Sequence, residues 1–483
     1  MIKSKQILIL LLAVAFVSTN FVAQVNKTTK FDFDYLKQTL TEEVNKILKI
    51  TGIPSVSIAL IKGDSIVWAD AFGYANVKKK VLATSSTIYN TGSNFKFVTA
   101  TAIMQLAELG KLNIDDPIND YLGESVIDDL SSEGKPVTFR HLLSHHSGLK
   151  GSLEIVPVWE RKLPRTLEEV ASEISVEEDP GKSYKYCNHC YALAGLIIEK
   201  VSGQSYQDYL VEHILKPLQI KSAGPLVPTP SMVEELALPY NLENNQAIPE
   251  YQKRFDVFPA GDIYLTCSEM ANFLIAQLND GIYKDQAILK PESVREMHKG
   301  QFGIDYYGLG TGIKQTDDEK FLNHAGGVPG FSSFFKIGTN SKTGVYIASN
   351  ANNVHQILTA ITNFSLKLLN GNENPEPLPS FIINDFKEIE LPNKVLRKYV
   401  GEYQLKSDYF VSITLEDSKL YGQATGKNKF EMSPHEEDRF FIKKAYVNID
   451  FNIENKKVVS FSIFNVDGKR EAKKLDNTRY NKK

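Results

Sequence analysis

The sequence has few cysteines, no run of basic residues, no internal repeat and no low-complexity tract. Three cysteines among 483 residues are too few for the disulfide framework that holds many small secreted domains together. The 55 basic and 58 acidic residues give a formal net charge of −3, which argues against a nucleic-acid-binding protein. Hydrophobic residues make up 42% of the chain, which is ordinary for a globular protein with two or three domains.

Two of the cysteines stand close together, in the segment Cys187-Asn188-His189-Cys190. A zinc site of this kind needs a second Cys/His pair at matching spacing, and the sequence has none. A thioredoxin-like redox motif needs a different setting along the chain. We therefore expect neither a metal site nor a redox centre here, and interpret both cysteines as small buried side chains at the start of a helix.

The N-terminus has the pattern of a secretory signal. Lys3 and Lys5 precede eleven apolar residues, Ile7 to Val17, and small residues follow up to Ala23. Eleven residues are too few to span a bilayer comfortably, and no cysteine near the cleavage point offers a lipid attachment site. We expect a signal peptide over 1–23, an exported protein in the periplasm or outside the cell, and no stable membrane span after cleavage. An uncleaved N-terminal anchor is the alternative.

The order of patterns along the chain predicts an α/β (α+β) protein. Residues 30–372 have strand-like segments near both ends and helical patterns between them, which indicates an antiparallel sheet flanked by helices, with a mostly helical lobe. A groove between sheet and lobe is the expected place for chemistry. The Pro-rich segment that opens 373–390 is typical of a linker, and 391–483 has the short strands of a separate small β-barrel domain.

Ser93 and Lys96 lie at the start of a predicted amphipathic helix that ends at Gly110. A spacing of three residues places both side chains on one face, at the positive end of the helix dipole. A buried lysine with a lowered pKa can take the proton from a serine hydroxyl and so activate it as a nucleophile. The alternative is an N-cap serine followed by a solvated lysine, because both residue types are common there.

Two further segments carry candidate site residues. Tyr186 and Asn188 precede a helix, where a phenol can move protons beside a lysine and an amide can bind a peptide-like substrate. Glycines at 326 and 327 follow His324, so substrate can approach the backbone, and the N–H groups of Ser93 and Gly327 can form an oxyanion hole. The alternatives are a packed tyrosine with a capping asparagine, and a Gly-rich hairpin with an incidental histidine. We interpret His145 and His146 as structural, because adjacent residues on a predicted helix do not face the same way.

In this order, the motifs resemble the penicillin-recognising serine hydrolases, the superfamily of class C β-lactamases, low-molecular-mass DD-peptidases and related esterases. The resemblance covers roughly residues 40–370. The segments that carry it are Gly92–Lys96, Thr138–Leu149, Pro180–Asn188, Pro259–Asp262, Tyr307–Gly310 and His324–Phe331. The segment Tyr399–Tyr403 is similar to the lipocalin-like β-domains often appended to such enzymes.

The resemblance implies a role for each candidate. Ser93 attacks a carbonyl and becomes acylated, while Lys96 and Tyr186 manage its proton, with the choice of base left open. Asn188, His324, Gly326 and Gly327 are the expected substrate-binding residues, the last with its N–H on the oxyanion. Water then hydrolyses the acyl-enzyme, and neither a metal nor a cofactor is expected.

Two departures from the pattern bear on the substrate. His324 stands where β-lactamases of this type usually carry a lysine, and Ala325 lacks the usual hydroxyl, so a substrate carboxylate is held less firmly. Efficient β-lactam turnover is therefore less expected than hydrolysis of a D-amino-acid peptide or a carboxylic ester. A penicillin-binding sensor that does not turn over is a further alternative. The expected partner is a small-molecule or peptide substrate, and the oligomeric state stays open.

Overall fold

The structure is a computed structural model that describes most of the chain. The described residues are 32–124, 127, 134–157, 165–222, 235–243, 245–372, 375, 387–406, 409–425, 429–443, 447–465 and 468–475. The predicted signal peptide and most of the predicted linker lie outside them. Within these ranges, no helix is both long and apolar enough to cross a membrane.

The centre of the molecule is an antiparallel sheet that has seven strands in the described part of the chain. Its first strand in sequence, Ser55–Lys62, is buried along almost its whole length and lies between Thr343–Ser349 and Ser65–Asn76. Early and late segments of the chain therefore pair, as predicted. In spatial order, the strands are Gly312–Gln315, Lys320–Val328, Phe331–Gly338, Thr343–Ser349, Ser55–Lys62, Ser65–Asn76 and Val81–Leu82.

Helices Phe33–Thr51 and His355–Leu369 cover one face of the sheet. The first of them buries apolar side chains at intervals of three and four residues, which is the spacing of one helix face. Asp32 caps its N-terminus, and Gly52 ends it in the left-handed conformation. The buried residues of this stripe include Leu36, Leu40, Val44 and Ile47.

The other face carries the helical lobe and a second apolar cluster. Its central helix, His189–Ser202, is buried from Cys190 to Ile198 and ends at Gly203, which has the left-handed conformation that glycine readily adopts. The remaining helices on this side are Lys96–Glu108, Asn119–Leu122, Phe139–Leu143, Leu167–Ser172, Tyr206–Leu210 with a π-helical turn Val211–Leu215, Cys267–Leu278 and Pro291–Met297.

Short two-stranded ladders fasten the loops of the lobe. The ladder that matters most for function pairs Tyr89–Asn90 with Tyr264–Leu265, because it holds the segment before Ser93 against the segment after residue 258. The other pairs are Leu149–Lys150 with Ser175–Val176, Ile155–Pro157 with Lys253–Phe255, Tyr240–Glu243 with Gln246–Pro249, and Ile282–Tyr283 with Gln286–Ala287.

The C-terminal part is a closed antiparallel barrel preceded by a helical turn, Asn393–Leu396, which confirms the predicted small β-barrel. Aromatic side chains fill its interior, namely Tyr399, Tyr403, Phe440, Phe451 and Phe461. Phe441 packs into the apolar cluster that involves Phe33–Thr51 and His355–Leu369, so the barrel contacts the side of the sheet away from the helical lobe. The barrel strands described are Gly401–Lys406, Tyr409–Glu416, Lys419–Ala424, Lys429–Pro434, Arg439–Ile442, Val447–Glu454, Lys457–Asn465 and Gly468–Lys474.

Candidate active site

Ser93 lies in a 3-10 turn, Gly92–Phe95, that leads directly into the helix Lys96–Glu108. Gly92 has a φ of +53°, and a Cβ at this position would lie 2.5 Å from the backbone nitrogen of Gly327. Only glycine accommodates both the conformation and the contact. The turn therefore holds Ser93 beside the strand that contains His324, Gly326 and Gly327.

Lys96 is buried with no exposed surface. Its Nζ lies 3.0 Å from Ser93 Oγ and donates a hydrogen bond to the carbonyl oxygen of Ala260 at 2.8 Å. Both partners are neutral, so the burial of the amine is not balanced by a carboxylate in direct contact. Burial consequently lowers the pKa of Lys96 well below its ordinary value of 10.5. The alternative of a solvated lysine is wrong, because the side chain points into the protein.

Tyr186 makes a side-chain hydrogen bond with Ser93. Its ring centroid lies 5.0 Å from Lys96 Nζ. The whole side chain is 46% exposed, but the hydroxyl end faces the buried part of the site, and this burial raises the pKa of Tyr186 above 10. The Ser93 hydroxyl thus contacts two groups. Burial favours the neutral form of the Lys96 amine and the protonated form of the Tyr186 phenol.

Asn188 is the N-cap residue of the helix His189–Ser202, yet its side chain makes no capping hydrogen bond. The sequence offered helix capping as an alternative role for this amide, and the structure does not show that role. The amide is therefore not committed to the helix and remains available to a ligand beside Tyr186.

A disulfide joins Cys187 to Cys190 across Asn188, with an S–S distance of 2.08 Å. Both side chains are buried, as expected, but the interpretation of two separate thiols is wrong. The loop entering the helix brings the two Cα atoms to 5.5 Å, which is within the usual range for a disulfide. The spacing of the two cysteines argues against a metal or redox site, but it does not determine whether the loop brings their sulfur atoms together in a structural disulfide.

The third candidate segment lies within a single long strand, Lys320–Val328. Its pairing with Gly312–Gln315 stops at Asn323, so His324 to Val328 form a free edge on that side, while the other side stays paired up to Val328. A Cβ on Gly326 would lie 2.0 Å from the carbonyl oxygen of Thr91. The strand edge and the Ser93 turn are thus in direct contact, where the predicted oxyanion hole of Ser93 and Gly327 N–H groups requires them.

His324 is buried on this edge, and two residues to which the sequence assigned no catalytic or binding role are connected to it by hydrogen bonds. Its Nε2 lies 3.1 Å from the hydroxyl of Tyr307, and that hydroxyl lies 3.1 Å from Nε2 of His145. The His145 ring lies 4.4 Å from that of Tyr186. Tyr307 and His145 belong to two of the segments that carry the family resemblance, which was the available signal for them.

His145 is structural in a different sense from the one expected. The helix Phe139–Leu143 ends before it, and His145 has a φ of +63°, so neighbouring positions on a helix do not decide where the two histidines point. His146 contacts Ser144 and lies beside Phe302. His145 alone turns toward the site, where burial and the nearby Lys96 lower its pKa well below 6.5.

A buried aspartate, Asp262, is connected to the Ser93 turn through hydrogen bonds of Asn90. Asp262 Oδ1 accepts a hydrogen bond from Asn90 Nδ2 at 2.7 Å, and Asn90 Oδ1 accepts one from the Gly92 N–H at 2.8 Å. Burial raises the pKa of Asp262 to about 7. Because Ala260 accepts from Lys96, the segment around residues 258–262 positions both the nucleophile and the amine.

The described part of the chain contains no group of three or more His, Cys, Asp or Glu side chains suited to a metal ion. Direct contacts connect six of the predicted site residues where the sheet edge meets the helical lobe: Ser93, Lys96, Tyr186, His324, Gly326 and Gly327. Asn188 lies two residues from Tyr186, at the start of the helix His189–Ser202. The arrangement places a hydroxyl in contact with a buried amine and a phenol, beside a strand edge that contains two glycines, and these are the kinds of group that acyl transfer needs.

Comparison with known proteins agrees with this arrangement. A family described as Beta-lactamase matches residues 40–362, and a domain of unknown function (DUF3471) matches 386–479. Penicillin-binding protein 4* of Bacillus subtilis is 25% identical over 90% of this chain and 97% of its own length. Protein flp of Staphylococcus aureus is 27% identical over 62% of this chain, and the match spans only 60% of flp.

A solved structure also resembles the whole molecule. The octameric penicillin-binding protein homologue from Pyrococcus abyssi superimposes with a TM-score of 0.59 and 25% sequence identity. The match covers 90% of this chain and 99% of that one. The likeness therefore extends over both the sheet-and-helix region and the C-terminal barrel.

Proposed function

The chain belongs to the beta-lactamase family of serine hydrolases, and on that basis we propose that Ser93 hydrolyses carboxylic esters or peptide-like amides of the D-amino-acid type through an acyl-enzyme. The observation that carries this proposal is the contact of Ser93 Oγ with a fully buried lysine whose partners are neutral. A lysine in that setting accepts a proton at neutral pH, which an ordinary surface lysine does not.

In the first step, Ser93 Oγ forms a bond to the substrate carbonyl carbon while its proton passes to Lys96 Nζ. The N–H groups of Ser93 and Gly327 bind the developing oxyanion, and Asn188 holds the substrate amide or ester. The bond from the carbonyl carbon to the leaving nitrogen or oxygen then breaks. The leaving atom takes the proton back, from Lys96 directly or through the hydroxyl of Tyr186.

In the second step, water attacks the acyl-serine and gives its proton to the same base, and Ser93 leaves with a proton restored. The directions of the two pKa shifts favour Lys96 as the base, because burial promotes the neutral amine and disfavours the tyrosinate. Tyr186 then acts as the proton carrier. General acid–base assistance of this kind contributes on the order of 10²–10⁴ in rate.

The neutral surroundings of His324 bear on the substrate. Burial and Lys96 lower the pKa of His324 to about 3, so it does not supply the fixed positive charge that a lysine supplies at this position in β-lactamases. Esters and peptide-like amides are therefore the proposed substrates ahead of β-lactams. Penicillin stays useful as an acylating probe, since a relative of similar length is named for binding it.

A substrate panel tests the proposal. p-Nitrophenyl butyrate, a D-Ala-D-Ala peptide and a chromogenic cephalosporin are assayed with the wild-type protein and with Ser93→Ala. Ser202→Ala, on a helix end outside the groove, is the matched control. We expect ester or amide turnover that Ser93→Ala abolishes and Ser202→Ala retains, and a penicilloyl adduct found by mass spectrometry on Ser93. Turnover that survives Ser93→Ala refutes the proposed nucleophile.

Export belongs to the same proposal and is supported by the charged residues and the apolar run near the N-terminus. Expression in a host with two membranes, followed by mass spectrometry of the N-terminal peptide from each fraction, tests it. A chain that begins near residue 24 in the periplasm or the medium is the expected result. An intact N-terminus in the cytoplasmic fraction contradicts it.

A further inference from the structure

The hydrogen bonds around His324 determine which of its nitrogens carries hydrogen. Nδ1 lies 2.8 Å from the carbonyl oxygen of Ala325, which can only accept, so Nδ1 must donate. In a neutral imidazole the other nitrogen, Nε2, is then an acceptor. Tyr307 O–H, at 3.1 Å, is the donor that faces it.

The hydrogen bonds of His145 define the other side of Tyr307. Nδ1 of His145 accepts the backbone N–H of Cys187 at 3.1 Å, so a neutral His145 carries its hydrogen on Nε2. That hydrogen points to the oxygen of Tyr307, 3.1 Å away. Tyr307 thus accepts from His145, and when it donates to His324 every hydrogen from Cys187 to Ala325 finds an acceptor.

Tyr191 is the competing acceptor for the Tyr307 hydrogen. Its hydroxyl donates to the carbonyl oxygen of Leu143 at 2.8 Å and also makes a hydrogen-bond contact with Tyr307. If Tyr307 donated to Tyr191, its oxygen would face an unprotonated Nε2 of His324, and the two lone pairs would repel. That arrangement therefore requires His324 to be an imidazolium. The structure allows two proton arrangements, and the charge of His324 distinguishes them.

The groups around His324 favour the neutral arrangement. Lys96 is the nearby group that can carry positive charge, and it opposes a second positive charge on His324. The other titratable groups that face His324 or its Tyr307 partner are phenols and a histidine without formal charge, namely Tyr184, Tyr186, Tyr191, Tyr307 and His145. No carboxylate appears among the described contacts of His324. The hydrogen bond to the Ala325 carbonyl favours the imidazolium, but burial outweighs it.

We propose, on the basis of the function proposed above, that Tyr307 and His145 are positioning residues that hold His324 in its neutral form. The ring then has no hydrogen free to bind a substrate in the groove. As a result, the enzyme selects acyl substrates whose leaving group carries no carboxylate. His324 then forms part of the groove wall. Its Nδ1–H donates to the carbonyl oxygen of Ala325, and its Nε2 accepts from the Tyr307 hydroxyl. A carboxylate placed there meets no partner. Neutral esters and amides with a blocked C-terminus fit this wall, and free C-terminal D-peptides do not.

A matched pair of thioesters measures this selectivity. Phenylacetylglycyl thioglycolate has a free carboxylate in the leaving group, and its methyl ester differs only by masking it. We expect the wild-type kcat/KM to favour the methyl ester by about 10-fold or more, because a carboxylate without a partner loses on the order of 1–3 kcal/mol. The ratio should not change between pH 5.5 and pH 8. Preference for the free acid, growing as the pH falls, overturns the proposal.

Nitrogen NMR of protein labelled at histidine gives a readout that does not depend on turnover. The His324 signals are identified by their loss in His324→Gln. We expect the spectrum of a neutral ring protonated on Nδ1 across the same pH range. An imidazolium spectrum above pH 5.5, or a ring protonated on Nε2 alone, overturns the proposal. If neither thioester is hydrolysed, the proposed function fails, and the NMR result still decides the state of His324.

Tyr307→Phe removes the hydrogen that occupies Nε2 of His324, and Tyr184→Phe is the control from the same aromatic cluster, 5.4 Å away between ring centroids. We expect Tyr307→Phe to shift the Nε2 resonance of His324. The variant should also reduce the preference for the methyl ester about 5-fold at pH 5.5 but not at pH 8, since a hydrogen bond is worth roughly 1 kcal/mol. Tyr184→Phe should leave both at the wild-type value. A folded Tyr307→Phe protein with the wild-type Nε2 resonance and the wild-type substrate preference refutes the role of Tyr307. If the variant does not fold, the thioester ratio and the NMR spectrum of the wild-type protein test the proposal.

Discussion

Lys96 Nζ lies 3.0 Å from Ser93 Oγ, although the lysine side chain has no exposed surface. Its other hydrogen-bond partner is the carbonyl oxygen of Ala260. A charged amine in this position would be desolvated without a counter-ion in contact, which is expensive in free energy. The relationship therefore favours the neutral form of Lys96 beside the hydroxyl, and the first two predictions depend on it.

Lys96→Arg should remove the activity. A guanidinium stays charged at any accessible pH and cannot accept the serine proton, so kcat/KM for p-nitrophenyl butyrate should fall on the order of 10²–10⁴-fold. Lys111→Arg, an exposed lysine beyond the end of the same helix, is the control and should keep full activity. An active Lys96→Arg enzyme would mean that another group is the base.

The pH profile of kcat/KM should have an acid limb and no alkaline limb below about pH 9. The lowered pKa of Lys96 means that activity rises as the amine loses its proton and then levels off. The raised pKa of Tyr186 means that the phenol keeps its proton throughout this range. A decline in activity between pH 7 and pH 9, abolished by Tyr186→Phe, would instead indicate that tyrosine ionisation limits the reaction.

Gly326→Ala should lower the specific activity more than the stability alone explains. A Cβ at this position meets the carbonyl oxygen of Thr91 at 2.0 Å, so the strand edge must move away from the Ser93 turn. Loss of one oxyanion donor costs on the order of 10²–10³ in kcat. Gly63→Ala is the control, because it has a φ of +66° but no atom near the added Cβ. It should lower the melting temperature and leave the specific activity of the folded protein unchanged.

Asp262 should make the protein less stable as the pH rises. Its pKa is raised from 3.8 to about 7 in the folded state, so the folded protein binds the proton more tightly than the unfolded chain. The resulting stabilisation is complete below about pH 4 and is lost as the pH rises through about 7, with an upper limit of about 4 kcal/mol.

Asp262→Asn removes this titration. The variant loses part of the hydrogen bonding to Asn90, so its overall stability falls, but the difference in unfolding free energy between pH 5 and pH 8 should shrink. Urea denaturation at the two pH values measures it, with Asp64→Asn in an exposed turn as the control. A pH difference equal to that of the wild type would show that the charge of Asp262 does not affect folding.

His324→Lys should improve hydrolysis of carboxylate-bearing substrates relative to neutral esters. A lysine at this place restores the fixed positive charge found in β-lactamases of this type, whereas His324 is neutral. The kcat/KM values of the free thioglycolate and its methyl ester give the comparison. An equal change for both substrates would count against an electrostatic role for this position.

The local pattern around the nucleophile was sufficient to predict its helix and its lysine. Ser93 and Lys96 are three residues apart, and a spacing of this kind sets their relative position whatever the rest of the chain does. The end of the helix at Gly203 follows from glycine's access to the left-handed conformation, which is equally local. The family motifs then indicated which distant segments complete the site.

The polar contacts inside the site were not predictable in the same way. Tyr307 lies between His145 and His324, although the three residues come from separate segments, because buried polar atoms must find partners and only the folded chain decides which ones are near. The Cys187–Cys190 bond depends on the path of the loop that enters the helix. The expectation for His145 and His146 assumed that both lie on a helix. In the structure that helix ends at Leu143, before either residue.

The amino-acid sequence by itself indicated the antiparallel sheet with its helical lobe and the C-terminal barrel, because periodicity and turn residues encode these. Spacing placed Lys96 beside Ser93, and the resemblance of several motifs to one family indicated their chemistry. Tertiary structure alone decided that Lys96 has no exposed surface, that Gly326 lies against Thr91 and that Nδ1 of His324 faces the carbonyl oxygen of Ala325. Burial and hydrogen-bond direction depend on atoms brought together from distant parts of the chain, and these two quantities set the chemistry of the groove.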